Sequence, residues 1–134
     1  MSQHHTALVY TMVLVSAADR EMTDAEMTTI GEIVSHLPVF SDYDLKKLPK
    51  EAQACAELLN EDDGLEKVLS QIVADLPTKL AETAYAVALD VAAADGKASQ
   101  EELRLLEMLR HRLAVGRLPA AAIERGARAR YMRL

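Results

Sequence analysis

The acids whose spacing could do chemistry come in two matching turns. "AADREMTDAE" (residues 17–26) carries an alanine-rich helix into an acid, a short polar turn and a second acid, and "AADGKASQEE" (93–102) repeats the arrangement 76 positions later. Asp19 aligns with Asp95, Thr23 with Ser99, and Glu26 with Glu102. Neither turn contains His or Cys, so Asp19, Glu26, Asp95 and Glu102 offer an all-oxygen donor set, with Glu21, Asp24 and Glu101 nearby. Such a set suits Ca²⁺, Mg²⁺ or Mn²⁺ rather than Zn²⁺. It is not an EF-hand. The twelfth position counted from Asp19 or Asp95 is Ile30 or Leu106, where that loop needs a bidentate glutamate.

The same residues have a structural reading. Thr23-Asp-Ala-Glu26 and Ser99-Gln-Glu-Glu102 both fit a capping box, in which the hydroxyl accepts from the N–H three residues on and the glutamate accepts from the cap's own N–H. A cap of this kind contributes about 1 kcal/mol, with no ligand required. Capping leaves Asp19 and Asp95 unexplained. Each is expected at a helix C-terminus, where an acid opposes the macrodipole at a cost of roughly 0.3–1 kcal/mol. An Asx-turn would offset that cost, and so would a cation. Both readings stand at this level: four carboxylates gathered round a hard cation, or two capped helix starts.

The elements that must position these turns are helical. Half of the 134 residues are apolar and 27% are charged, with no Trp, one Phe and four Tyr. That composition gives an all-α class, and periodicity predicts a compact bundle of about seven helices. The first is expected from about Thr6 to Ala18, with Leu8, Met12 and Val15 on one face. The second starts at Thr23 and ends near His36, before Pro38. Pro49 sits in the first turn of a third, which carries Cys55 among apolar neighbours. A fourth carries Leu65, Val68, Leu69, Ile72 and Val73. Pro77 opens a long fifth segment closed by a left-handed Gly96. Ser99 starts the sixth, and Pro119 opens the last, whose Ile123, Ala127, Tyr131 and Leu134 share one side. The segments 7–37 and 83–113 read as two similar helix–turn–helix units within one domain, 1–134. Alanines preceding each turn predict close approach at the centre of the bundle.

Composition also excludes functions. The net charge is −6; residues 1–116 hold 20 acids and 10 Lys or Arg, whereas 117–134 hold five Arg and one Glu. An acidic body argues against nucleic acid as a partner. A lone Cys55 makes no internal disulfide, no signal peptide is evident, and the apolar runs are too short for membrane insertion, so a cytoplasmic protein is expected. His4 and His5 read as a frayed terminus. Asp90, inside an apolar helix, needs a partner such as a backbone amide or an Arg. The C-terminal arginines read as charge docked on the acidic body, or as a basic face for an anionic membrane or acidic partner. Neither a phosphate-binding glycine loop, a Cys/His pair nor a nucleophile elbow is present, so no enzyme activity is expected. The sequence leaves the oligomeric state open.

The doubled "AAD-x-x-x-[T/S]-x-x-E" turn, the alanine-rich helices before it and the C-terminal "AAIERGARAR" resemble the TerB-like family of tellurite resistance proteins, over nearly the whole chain. The resemblance implies an all-helical fold of two similar units bearing an acidic, cation-binding surface. Its acidic positions fall on Asp19, Glu26, Asp95 and Glu102, and secondarily on Asp90. It also implies a bacterial stress-response role beside other tellurite-resistance or stress-response proteins. One departure stands out: the first turn has Arg20 where the second has Gly96. Tellurite is an anion, so an acidic patch is expected to repel it rather than bind it.

Overall fold

Alternation of apolar runs with capped polar turns resolves, in a computed structural model, into helices; residues 3–18, 22–94, 96 and 98–134 are described here. Among them lie seven α-helices and no strand: α1 (Gln3–Ser16), α2 (Asp24–His36), α3 (Leu48–Leu59), α4 (Gly64–Asp75), α5 (Ala81–Ala93), α6 (Gln100–Arg112) and α7 (Arg117–Arg130). Short 3₁₀ turns at Pro38–Phe40, Leu45–Lys47 and Thr78–Leu80 join α2 to α3 and α4 to α5.

The helix ends follow from local chemistry. Leu37 adopts extended geometry ahead of Pro38 and stops α2. Asp63 takes a left-handed φ of 56° and Gly64 starts α4 against the end of α3, where a Cβ would collide with the carbonyl oxygens of Leu58 and Leu59. Several expected boundaries move, the first helix to Gln3–Ser16 from about Thr6 to Ala18. The fifth helix begins at Ala81, because the residues after Pro77 first form the 3₁₀ turn. The last begins at Arg117 rather than Pro119, capped by extended Gly116. First-turn N–H groups have no partner within the helix, so a proline two residues in costs nothing there.

α1 is the centre of the fold. It packs on α3, α4 and α5 and more lightly on α2 and α6, and every residue from Ala7 to Ser16 is buried. The expected single apolar face is thus replaced by burial all round. The frayed-terminus reading of His5 is also corrected. His5 is buried in the first turns of α1, its Nε2 2.8 Å from the Val39 carbonyl oxygen, and its ring contacts those of Phe40 and Tyr43. An apolar connector folded back over the terminus supplies the burial that proximity in sequence does not.

The second helix pair echoes the first. α1 and α5 pack on each other, and α2 and α6 each touch both of them, each more closely on α5. The arrangement is an approximate pseudo-two-fold. Burial follows it: Ile30 and Leu106 are both core, while Met27 (46% exposed) and Leu103 (49%) both face out.

Candidate cation site at the two capped turns

Thr23 and Ser99 hold extended backbone geometry, φ −75° and ψ 159° against φ −73° and ψ 165°, as an N-cap requires. The Glu26 N–H donates to Thr23 Oγ1 at 3.1 Å, and the Thr23 N–H donates to Glu26 Oε1 at 3.0 Å. In the second turn the Glu102 N–H donates to Ser99 Oγ at 3.1 Å and the Ser99 N–H to Glu102 Oε1 at 2.8 Å. Both capping boxes are therefore complete and superimpose in chemistry.

What the capping motif does not convey is depth. Glu26 and Glu102 are each only 2% exposed. Capping alone needs no burial, because a surface glutamate reaches its N–H equally well. Each carboxylate sits in the first turn of its helix, where the positive end of the macrodipole favours the anion. Asp24 and Glu101 are exposed beside them.

Beside the end of α1 lies a cavity of about 630 Å³, lined by Leu14, Ala17 and Ala18 together with Leu59 of α3, Leu65 of α4 and Leu105 of α6. Ser16, the last residue of α1, is fully buried, and its Oγ has no hydrogen-bond partner among the described residues. In the second turn Gly96 closes α5 with φ 83° and donates its N–H to the Ala93 carbonyl at 2.9 Å. The left-handed residue expected there is thus in place.

Asp19 and Asp95, with Arg20, Glu21 and Lys97, lie outside the described residues. Of the four candidate ligands, Glu26 and Glu102 are therefore the two with a described position. Among the described residues no group of three His, Cys, Asp or Glu side chains converges to hold a metal. The donor types of the four candidates nevertheless suit a hard cation: carboxylate oxygens, without nitrogen or sulfur.

Asp90 stands apart from both turns. It projects half-buried from α5 and pairs with Arg130 of α7, so its partner is an arginine rather than a backbone amide or a cation. Cys55 is fully buried with its thiol pKa pushed up to about 12 by burial, which keeps it protonated and inert at neutral pH. His36 and His111 are exposed. The buried Ser16 escaped the sequence reading, although a serine inside the apolar run "VLVSAA" was its signal. No helix among the described residues is long and apolar enough to cross a membrane.

No curated protein and no solved structure matches the chain. The family described as tellurite resistance protein TerB does, over residues 5–124, a span that takes in all four candidate ligands, both capped turns and most of α7. An all-helical bundle whose doubled turn runs through that match leaves one assignment: the chain belongs to the TerB family of tellurite resistance proteins.

Proposed function

We propose that this TerB-family chain is a non-catalytic adaptor of a bacterial chemical-stress response, bound by a divalent cation at its two acidic turns. The candidate ligands are Asp19, Glu26, Asp95 and Glu102, and Ser16 adds an oxygen at the end of α1. The observation that carries this reading is the paired burial of Glu26 and Glu102 at equivalent helix starts. Burying two carboxylates at matching positions is costly unless their charge is met, and a hard cation is one way to meet it. A hard cation bound there would offset repulsion between the turns and set how the two helix pairs sit, and with them a partner surface. Other tellurite-resistance or stress-response proteins are the partners this reading expects.

One observation favours a second reading, a metal-independent interaction module. Both capping boxes are complete as they stand, so the glutamates already have a structural role.

Thermal unfolding separates the two. Chelated protein is titrated with Ca²⁺, Mg²⁺ or Mn²⁺, beside Asp19→Asn and Asp95→Asn. A ligand that binds only the folded state raises the melting temperature with concentration. A saturable rise that both variants lose is the expected result. A flat response in the wild type would leave the turns as helix caps and the protein as a metal-independent module.

A further inference from the structure

The open side of α5 carries a second feature, separate from the acidic turns. α7 runs alongside α5 in the same direction: Tyr85 bonds Glu124 at 2.6 Å, Asp90 pairs with Arg130, and Arg133 lies over Gly96. Between them, floored by α6, is a groove of about 560 Å³. Its α5 wall is Leu89, Ala92, Ala93 and Gly96, and its α7 wall includes Glu124, Ala127, Arg128 and Tyr131. Leu89, Ala92 and Ala93 share one face of α5 and Glu124, Ala127 and Arg128 one face of α7, with Gly96 and Tyr131 just past the helix ends. Leu103 of α6 supplies part of the floor and remains half exposed.

The rim of this apolar groove is basic. Arg128 and Arg133 line it, and neither makes a hydrogen bond or ion pair among the described residues, whereas Arg130 is held by Asp90. The opposing carboxylate, Glu124, is engaged by the Tyr85 hydroxyl. Residues 117–134 hold five arginines and one glutamate in a chain whose net charge is −6. Met132 (64% exposed) and Leu118 (84%) stand in the same arginine-rich segment. Two parallel ridges with an apolar floor and cationic edges match an amphipathic helix whose apolar stripe is flanked by acids. The acidic remainder of the molecule would orient such a partner toward this face and away from every other.

From this geometry we infer that the α5–α6–α7 groove is a docking site for an acidic amphipathic helix of a partner protein. The site rests on the adaptor part of the function proposed above and does not require the cation.

The test is fluorescence anisotropy of the full chain with a labelled peptide of about 15 residues, near the length at which an isolated helix holds. The peptide carries Leu at i, i+3, i+4 and i+7 with Glu on both flanks; a second peptide has Lys in place of Glu. Measurements run in chelator and again with Mg²⁺, so that loss of cation binding and loss of docking are separate results. Saturable binding of the Glu peptide is expected, weakened by salt and at least about tenfold weaker for the Lys peptide. The double variant Arg128→Glu/Arg133→Glu, at exposed positions, should weaken it by about tenfold or more, and Leu103→Glu should do the same from the apolar side. Circular dichroism checks that each variant remains folded. Absence of saturable binding, equal binding of the two peptides, or binding indifferent to both variants would overturn the site. So would displacement of the Glu peptide by phosphatidylglycerol vesicles but not neutral ones, which would assign the groove to an anionic lipid surface.

Discussion

Leu14 of α1 and Asp90 of α5 occupy the same position in two copies of one helix–turn–helix, 76 residues apart, and the fold treats them oppositely. Leu14 is sealed in the core; Asp90 reaches a half-exposed ion pair with Arg130. One residue earlier the contrast repeats, with Val13 fully buried and Leu89 lining an open groove. The flanking positions agree in both copies: Met12 with Ala88 and Val15 with Val91 are all core. Thus the two units share a turn and a core-facing stripe but differ on one side. α3 and α4 pack on α1, whereas α7 packs on α5 and leaves an open groove floored by α6 between them. Repetition of local sequence therefore specified the turns, and the helices added around each copy decided which became interior and which became surface.

The comparison breaks most sharply at its own residues. Leu14→Asp places an unpaired charge in the core and should destabilise by about 4–5 kcal/mol or more, enough to unfold a marginal domain. Asp90→Leu, the reciprocal change, should stay within about 1 kcal/mol, since it removes an ion pair with an exposed arginine. Urea unfolding of both variants checks this. Similar losses would mean that α5 is as enclosed as α1.

Where the copies agree, equal costs are expected. Ile30→Ala and Leu106→Ala, at matching core positions, should each lose about 2–5 kcal/mol. A large inequality in chemical denaturation would show that the pseudo-symmetry of packing is not one of energy.

Alkaline pH tests the enclosure of α1 by α3. The Cys55 thiol of α3 lies 3.9 Å from the Tyr10 carbonyl oxygen of α1, and burial raises its pKa from 9.0 to about 12. A raised folded pKa means that the unfolded chain releases the proton first. Its contribution is therefore intact below about pH 9 and declines by about 1.4 kcal/mol per pH unit from there toward pH 12. Tyr43 and Tyr85 shift upward too, through burial and then through donation to Glu51 and Glu124, and act with the same sign. Denaturation of Cys55→Ala against wild type from pH 8 to pH 11 isolates the thiol: the variant should be the less pH-sensitive of the two.

The smallest effects sharpen the turns themselves. Thr23→Ala and Ser99→Ala should each cost about 1 kcal/mol, and the double variant close to their sum. If the acids hold a cation, these cap variants should keep the metal-dependent rise in melting temperature while Glu26→Gln and Glu102→Gln lose it. A cap variant that abolished the rise would tie the response to helix ends rather than to carboxylates.

Much of this is legible in the sequence. The class and the helix starts at Thr23 and Ser99 follow from periodicity and caps, which act within four residues of each other. Gly96 was assigned its left-handed role because no other residue type closes a helix that way as cheaply. The burial of His5 was not legible. It depends on Phe40 and Tyr43 folding across α1, contacts made over more than 30 residues of chain. The start of α7 differs from the sequence expectation because proline marks the first turn without saying which residue of it. In the candidate site, the types and spacing of Asp19, Glu26, Asp95 and Glu102 were plain, yet nothing in a capping box announces that its glutamate will be sealed from water.

The sequence by itself determined the doubled turn, the caps that start α2 and α6, the acid-rich body and the arginine-rich end. These are properties of near neighbours and of charge counts. Only the tertiary structure decided that Glu26 and Glu102 are buried, that α2 packs across onto α5, and that α7 leaves a basic-rimmed groove along α5. Burial is the physical reason for the division: it belongs to pairs of surfaces distant in the chain, so no local pattern contains it.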